Sequence, residues 1–149
     1  MPLSISPNLW FDGNAEEAAE DYCSIFPGSR VVSVVRAGDQ VLTVEFELMG
    51  RTYLGLNGGP SFQFTEAVSF VVTCEDQAEI DRYWDRLTAD GGEPGRCGWC
   101  KDRYGLSWQV VPAGLGALVT DDGARRALFG MDKIDIAALR AAAEGAVAA

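Results

Sequence analysis

Histidine is missing from this 149-residue chain. Its absence excludes every site that depends on an imidazole, from Ser-His nucleophile pairs to the His-rich centres of zinc and iron enzymes. The soft donors that remain are four cysteines, Cys23, Cys74, Cys97 and Cys100. We expect them to be reduced thiols, because the chain has the features of a cytoplasmic protein.

Positive charge is also scarce, since 12 Lys and Arg face 22 Asp and Glu and give a formal net charge of -10. Such a chain is repelled by phosphate backbones and anionic lipids, so neither nucleic acid nor a membrane is an expected partner. No apolar run approaches the ~20 residues that span a bilayer. The N-terminal MPLSISPNLW lacks the features of a signal peptide. These absences predict a cytoplasmic protein, and the length predicts one domain over residues 1–149.

Two segments of the chain repeat one helix pattern. NAEEAAEDYCSIF starts at a candidate cap, Asn14, with Glu17 three residues later, and DQAEIDRYWDRL starts at Asp76, with Glu79 three residues later. Asp76 follows Asn14 by 62 residues, and the apolar positions of the two helices coincide at that offset. A short apolar segment precedes each helix and strand-like runs with turn residues follow it. The repeat predicts two βαβββ modules.

The boundaries follow from where the repeat starts and stops. Module one covers residues 1–57, the linker GGPSFQFTE covers 58–66, and module two covers 67–112. Residues 113–149 form an Ala-rich extension with apolar residues at helical spacing. We expect one or two helices there, packed on the domain edge or on a partner subunit. The predicted fold class is α+β.

Five segments carry a family resemblance: LWFDGNAEEA, FELMGRTYLGLNGGP, SFVVTCEDQAEIDRYWDRL, CGWCKDRYGLSWQVVP and MDKIDIAAL. Together they resemble the vicinal oxygen chelate superfamily, which includes glyoxalase I, bleomycin-resistance proteins and extradiol dioxygenases. The likeness is closest to the PhnB-like branch, also labelled 3-demethylubiquinone-9 3-methyltransferase-like. The resemblance implies two paired βαβββ modules whose strands curl into a half-open cup, and it implies a homodimer. In metal-dependent members, four ligands, usually His and Glu, point into that cup.

The residues at the corresponding positions do not suit a metal. They are Pro7, Leu54, Ser69 and Gln109, and the superfamily's D-P-x-G-x-x-x-E ending stands here as DRYGLSWQ. A catalytic metal needs about three imidazole, carboxylate or thiolate ligands, whereas this set offers one hydroxyl and one neutral amide. We therefore expect no metal and no other cofactor.

The cup that the resemblance implies predicts a small-molecule site. Strand alternation places Ser69 and Gln109 on the cup face of their strands, and the same parity turns Leu9 and Phe11 inward. Trp99 lies in a glycine-containing segment and is a candidate for stacking on a ligand. The predicted ligand-binding residues are Phe11, Leu54, Asn57, Ser69, Trp99 and Gln109. A structural alternative is that Ser69 and Gln109 bond to each other or to a water, and that Asn57 only stabilises its loop.

The Cys97-Gly98-Trp99-Cys100 stretch has the C-x-x-C spacing of a redox pair. Redox motifs of this kind begin a helix, whereas a strand is predicted here. The pattern therefore favours two inert thiols. A second C-x-x-C or a histidine pair is missing, which disfavours a structural zinc site.

Three classes of function stay open. The leading hypothesis is a metal-free protein whose apolar cup binds an aromatic small molecule. A metal-independent enzyme would need a titratable group in the cup, such as Glu45, Glu47 or Asp102. A dimeric interaction protein would fill the cup with its own side chains. Methyl transfer is disfavoured, because the sequence has no glycine-rich strand-to-helix loop for a nucleotide-like methyl donor.

Overall fold

The structure, a computed structural model, describes residues 2–148. Its elements in chain order are β1 (Asn8–Phe11), α1 (Ala15–Ile25), β2 (Arg30–Ala37), β3 (Gln40–Leu48), β4 (Arg51–Asn57), β5 (Ser69–Cys74), α2 (Gln77–Thr88), β6 (Glu93–Pro94), β7 (Trp99–Lys101), β8 (Ser107–Pro112), α3 (Leu115–Leu118), α4 (Asp122–Phe129) and α5 (Ile136–Ala148). They divide into two compact units, one up to Phe64 and one from Thr65 onward. None of the helices in residues 2–148 has the length and hydrophobicity that crossing a membrane requires.

The two units share one topology. Unit 1 holds sheet A, with strand order β1-β4-β3-β2, and unit 2 holds sheet B, with strand order β5-β8-β7-β6. In each sheet the first strand pairs in parallel with the last strand of its unit, and the other pairings are antiparallel. The helix follows the first strand in both units. The predicted βαβββ repeat and the α+β class are confirmed.

Helix α1 packs on one face of sheet A through small residues. Ala15, Ala18 and Ala19 are fully buried, and a Cβ added to Gly55 on β4 would lie 3.3 Å from the Ala15 Cβ. Such a close approach leaves no room for a larger side chain at Ala15 or Gly55. The opposite face of the sheet, which the helix does not cover, is called the open face of sheet A.

Leu9 and Phe11 lie on the helix-covered face, so the parity expected for them is wrong. Both are buried, and the Phe11 ring contacts Gly55 and meets the Phe64 ring edge-on with centroids 5.4 Å apart. The reason is a shift of one residue: β1 ends three residues before Asn14, whereas β5 ends two residues before Asp76. A shift of one residue moves every side chain of a strand to the other face.

The cap of α1 also differs from the prediction. Asn14 makes no side-chain hydrogen bond to the helix. Instead Asn57, at the end of β4, accepts from the Ala15 amide through Oδ1 at 2.9 Å and donates from Nδ2 to the Val41 carbonyl at 3.0 Å. The second predicted cap is confirmed, because Asp76 accepts from the Glu79 amide at 2.9 Å.

Replacement of Asn57 by Ala is expected to lower the free energy of unfolding by about 2 kcal/mol, since it leaves a helix amide and a strand carbonyl without partners. Asn14→Ala is the matched control at the cap position itself and is expected to cost less than about 0.5 kcal/mol. Urea unfolding followed by circular dichroism measures both. Equal losses in the two variants would contradict the assignment of the cap to Asn57.

Helix α2 covers one face of sheet B, and the C-terminal helices complete unit 2. The helix buries Ile80, Tyr83, Trp84 and Leu87. Within the C-terminal extension, Leu128, Ile134 and Leu139 form a buried cluster against which Cys97 and Val111 of the sheet region pack. Gln77 on α2 donates to the Ile134 carbonyl and accepts from the Ile136 amide, each at 2.9 Å. The extension is therefore part of unit 2. It is helical as expected, but its described part holds three helices, α3, α4 and α5, instead of one or two.

Candidate functional site

The candidate site lies on the face of sheet B that α2 does not cover, here called the open face of sheet B. Paired residues of neighbouring strands project to the same side of a sheet, so the register defines rows of side chains across this face. The first row consists of Val71, Gln109 and Trp99. The second row consists of Ser69, Ser107, Lys101 and Glu93.

Ser69 and Gln109 contact each other directly across these rows. Gln109 Nε2 donates to Ser69 Oγ at 2.9 Å, and both residues are half-buried. This contact confirms the structural alternative that the two groups satisfy each other. The bond uses one amide hydrogen of Gln109, so its carbonyl oxygen and the Ser69 hydroxyl proton are available to a ligand.

A concavity of about 470 Å³ opens beside the two rows within unit 2. Trp99, Lys101 and Ser107 line it, together with Glu66, Glu93, Pro94, Gly95, Arg96 and Cys100. Its walls are mainly apolar and its charged groups belong to four side chains, two acidic and two basic. A volume of this size lies within the range of small-molecule pockets.

Ser107 is the residue of this concavity that is completely buried. Its relative exposure is 0%, and its Oγ has no hydrogen-bond partner in the described part of the chain. Buried hydroxyls nearly always have a partner, so this one calls for an explanation.

An ion pair between Glu66 and Lys101 lies at the concavity that Ser107 also lines. Strand β8, which carries Ser107, lies between β5 and β7 in the sheet. Glu66 precedes β5 and Lys101 ends β7, and their side chains form a salt bridge. The bridge therefore connects the turn before β5 with the end of β7, and these two strands flank β8. Its hydrogen bond lowers the pKa of Glu66 and raises the pKa of Lys101, so both groups are charged at neutral pH.

The positions that correspond to metal ligands in the superfamily do not fit a divalent ion. Ser69 and Gln109 offer a hydroxyl and an amide that bond to each other. In unit 1, the Pro7 carbonyl accepts from the Leu54 amide at 2.9 Å, and neither side chain carries a donor atom. Within residues 2–148, no group of three Cys, Asp or Glu side chains is placed to hold a metal ion. The donor chemistry of these residues does not support a metal centre.

The six predicted ligand-binding residues fall into three places. Ser69, Trp99 and Gln109 lie together on the open face of sheet B. Leu54 is half-buried on the open face of sheet A, between Asn8 and Glu45 in register. Phe11 belongs to the core of unit 1, and both ends of the Asn57 amide are used in capping α1. Ligand binding by any of the six stays a prediction.

Asp102 is buried and accepts hydrogen bonds within its own turn. The enzyme hypothesis would instead need its carboxylate to face the cavity. It is 6% exposed and accepts from the Tyr104 amide at 2.9 Å, the Leu106 amide at 3.1 Å and Trp108 Nε1 at 2.8 Å. The carboxylate thus organises the turn between β7 and β8.

The two cysteines of CGWC lie in different surroundings. Cys97 is half-buried in the turn before β7, with a positive φ of 59°, while Cys100 is buried in the strand. Burial raises the pKa of the Cys100 thiol to about 12, which keeps it protonated and unreactive at neutral pH. Both thiols are free. The predicted strand is confirmed for Cys100, whereas Cys97 lies in the turn before it.

Among the residues that line the concavity, the sequence predicted only Trp99 as a site residue. Lys101 follows Trp99 by two positions, so strand alternation could have placed it on the same face. Glu66 lies in a turn before β5, and no periodic pattern relates it to Lys101. Ser107 shares the parity of Gln109, but its lack of a partner is visible only in three dimensions.

A family model and a solved structure that resemble this chain carry the same family description. The family model described as 3-demethylubiquinone-9 3-methyltransferase matches residues 3–111. A PhnB protein from Bacillus cereus is 32% identical, with 74% of this chain and 100% of that chain covered and a TM-score of 0.69. No curated protein matches the chain.

More distant solved structures share the fold alone. Protein PA1353 from Pseudomonas aeruginosa is 20% identical over 74% of this chain and 98% of its own, with a TM-score of 0.63. The fosfomycin resistance protein FosX from Listeria monocytogenes is 16% identical over 78% of this chain and 97% of its own, with a TM-score of 0.54. Helices α3, α4 and α5 lie beyond the segment that the family model matches.

Proposed function

The chain belongs to the PhnB-like 3-demethylubiquinone-9 3-methyltransferase family of the vicinal oxygen chelate superfamily, and we propose that it is a metal-free binding protein for a small aromatic molecule. The proposed site is the open face of sheet B. The observation that carries this proposal is the mainly apolar concavity of about 470 Å³ lined by Trp99, next to the Ser69–Gln109 pair.

The metal-free part of the proposal rests on donor chemistry. A divalent ion at this position would have to replace the hydrogen bond between Ser69 and Gln109 with two weak, neutral ligands. A hydroxyl and an amide are better suited to bind a polar substituent of an organic molecule.

The aromatic preference rests on Trp99. It lies beside Gln109 in the first row of the open face, so a ring stacked on the indole lies within reach of the amide carbonyl. An apolar pocket with a few polar groups at one side is the usual form of a small-molecule site.

The proposal includes a cytoplasmic homodimer. Large apolar side chains are exposed in both units, among them Phe62, Val68, Val71 and Phe129. Exposed apolar groups of this size favour association with another protein surface.

Native mass spectrometry of the purified protein, with elemental analysis of the same sample, tests the function directly. We expect a dimer that carries a small organic molecule and no stoichiometric metal. Trp99→Ala should carry much less of that molecule, because the stacking surface contributes roughly 1 kcal/mol or more to its affinity, a factor of about five or more. Thr73→Ala, which changes an exposed residue of the same strand face as Ser69, should retain it.

Two results would contradict the proposal. One is stoichiometric metal in the wild-type protein. The other is the same content of bound molecule in Trp99→Ala as in the wild type. If the protein is isolated empty, naphthalene-2-carboxamide serves as a neutral aromatic probe, and a failure of this probe to bind contradicts a site centred on Trp99.

A further inference from the structure

We propose that the concavity in unit 2 takes ligands with a carboxylate or another compact anionic group, and that such a ligand displaces Glu66 from Lys101. Glu66 then acts as an internal carboxylate that occupies the anion position when no ligand is bound. This inference rests on the proposed function, because it assigns a ligand class to the same site.

The unpartnered hydroxyl of Ser107 is the first observation in support. It is fully buried and lines the concavity without a hydrogen-bond partner among the described residues. A ligand oxygen held at Lys101 would also lie near Ser107, because the two residues are direct neighbours in register. The missing partner of the hydroxyl is therefore a group that the ligand supplies.

The Glu66–Lys101 bridge is the second observation. Lys101 is fixed at the end of β7, whereas Glu66 lies in a turn before β5 with a side chain that is 60% exposed. The bridge links the turn before β5 to the end of β7. The glutamate end can swing into solvent while the lysine end stays in place. Exposed ion pairs of this kind contribute little to stability, so releasing it costs little.

The charges of the concavity match a monoanion. With Glu66 in place, two acidic groups, Glu66 and Glu93, face two basic groups, Arg96 and Lys101. When Glu66 leaves, one positive charge is left without a counter-charge. A ligand carboxylate restores the balance, accepts from Lys101 Nζ through one oxygen and accepts from Ser107 Oγ through the other.

Three probes with one aromatic body and different head groups test this inference: naphthalene-2-carboxylate, naphthalene-2-carboxamide and 2-naphthylmethylammonium. Isothermal titration calorimetry measures their affinities for the full chain and its variants. We expect the carboxylate to bind best. Glu66→Gln removes the internal competitor and should raise carboxylate affinity about tenfold.

Two other variants should lower carboxylate affinity. Lys101→Met should lower carboxylate affinity by about tenfold and abolish the preference over the carboxamide. Ser107→Ala should lower it about threefold to tenfold. It should leave the melting temperature unchanged, because the hydroxyl has no partner to lose. Asp81→Asn is the matched control, since it breaks the 2.9 Å ion pair with Lys133 outside the concavity.

The outcomes separate the inference from the proposed function. Equal affinities of carboxylate and carboxamide in both the wild type and Glu66→Gln, with both lost in Trp99→Ala, would overturn the anion site and leave the aromatic site intact. A carboxylate preference that survives Lys101→Met would also overturn the inference. If none of the probes binds the wild type or Glu66→Gln, the inference and the proposed function both fail.

Discussion

Alanine in place of Gly98 is expected to lower the free energy of unfolding by about 3 to 4 kcal/mol. Gly98 has a φ of 83°, in the left-handed region that disfavours a side chain. A Cβ there would lie 2.8 Å from both the Val110 carbonyl oxygen and the Ile134 Cδ1 atom. Ile134 can shift, but the backbone of β8 cannot do so without disturbing the strand. Backbone strain and a steric clash therefore add at one position.

Gly105→Ala separates these two contributions. Gly105 has nearly the same φ, 86°, but nothing lies within 4 Å of an added Cβ. Its substitution should cost only the conformational part, about 1 to 2 kcal/mol. Chemical denaturation of the two variants gives the difference directly. A loss at Gly98 no greater than the loss at Gly105 would show that the contact with β8 and Ile134 is not tight.

The effect of Gly98 extends to the binding face, because this residue joins the C-terminal extension to Trp99. The Gly98 amide donates to the Asp132 carbonyl and its own carbonyl accepts from the Val110 amide, each at 2.8 Å. The Cys97 amide donates to the Met131 carbonyl at 2.8 Å. The turn that precedes Trp99 is thus held by residues beyond the segment that the family model matches. A shift of this turn should weaken ligand binding as well as stability.

Much of the fold could be predicted from the repeat of 62 residues, because helix caps and apolar periodicity are local properties of the sequence. The face of the sheet to which each β1 side chain points could not be predicted in this way. It depends on whether one or two residues separate a strand from the cap of its helix, and both spacings are compatible with the same apolar pattern. One residue of difference places Phe11 in the core instead of on the open face.

The sequence predicts only those site residues whose side-chain direction follows from alternation along a strand. Ser69 and Gln109 can be assigned to one face because alternation fixes the direction of their side chains, whereas the position of Trp99 beside Gln109 comes from the strand pairing. The Asn57 cap and the Glu66–Lys101 bridge join residues from elements that are distant along the chain. Such contacts depend on how the ends of different strands and turns approach each other in three dimensions. No spacing in the sequence predicts that approach. The same holds for Gln77, which joins α2 to the extension.

Replacement of Asp102 by Ala is expected to lower the free energy of unfolding by about 3 to 5 kcal/mol. The change leaves the amides of Tyr104 and Leu106 and the indole N–H of Trp108 without the carboxylate that accepts from them. Leu106 and Trp108 are buried, so water cannot replace that acceptor without opening the turn. Calorimetric or urea unfolding measures the loss.

Asp102→Asn separates the contribution of the Trp108 hydrogen bond from that of the two backbone amides. The asparagine oxygen can still accept from the two backbone amides, but its NH2 group then faces the Trp108 N–H, and two donors oppose each other. We expect a loss of about 2 kcal/mol, which should shrink when Trp108→Phe removes the opposing donor. An Asp102→Asn effect that is independent of the residue at position 108 would contradict the assigned bond.

The same variant decides between a structural and a catalytic carboxylate. Asp102 belongs to the turn that fixes the direction of β8, and its oxygens are directed at Tyr104, Leu106 and Trp108. Trp108 lies on the α2 side of the strand, opposite to Gln109. Folded Asp102→Asn should therefore bind naphthalene-2-carboxylate with an affinity close to that of the wild type, although it unfolds at lower urea concentration. An unchanged stability with lost binding would instead place the carboxylate in the ligand site and revive the enzyme hypothesis.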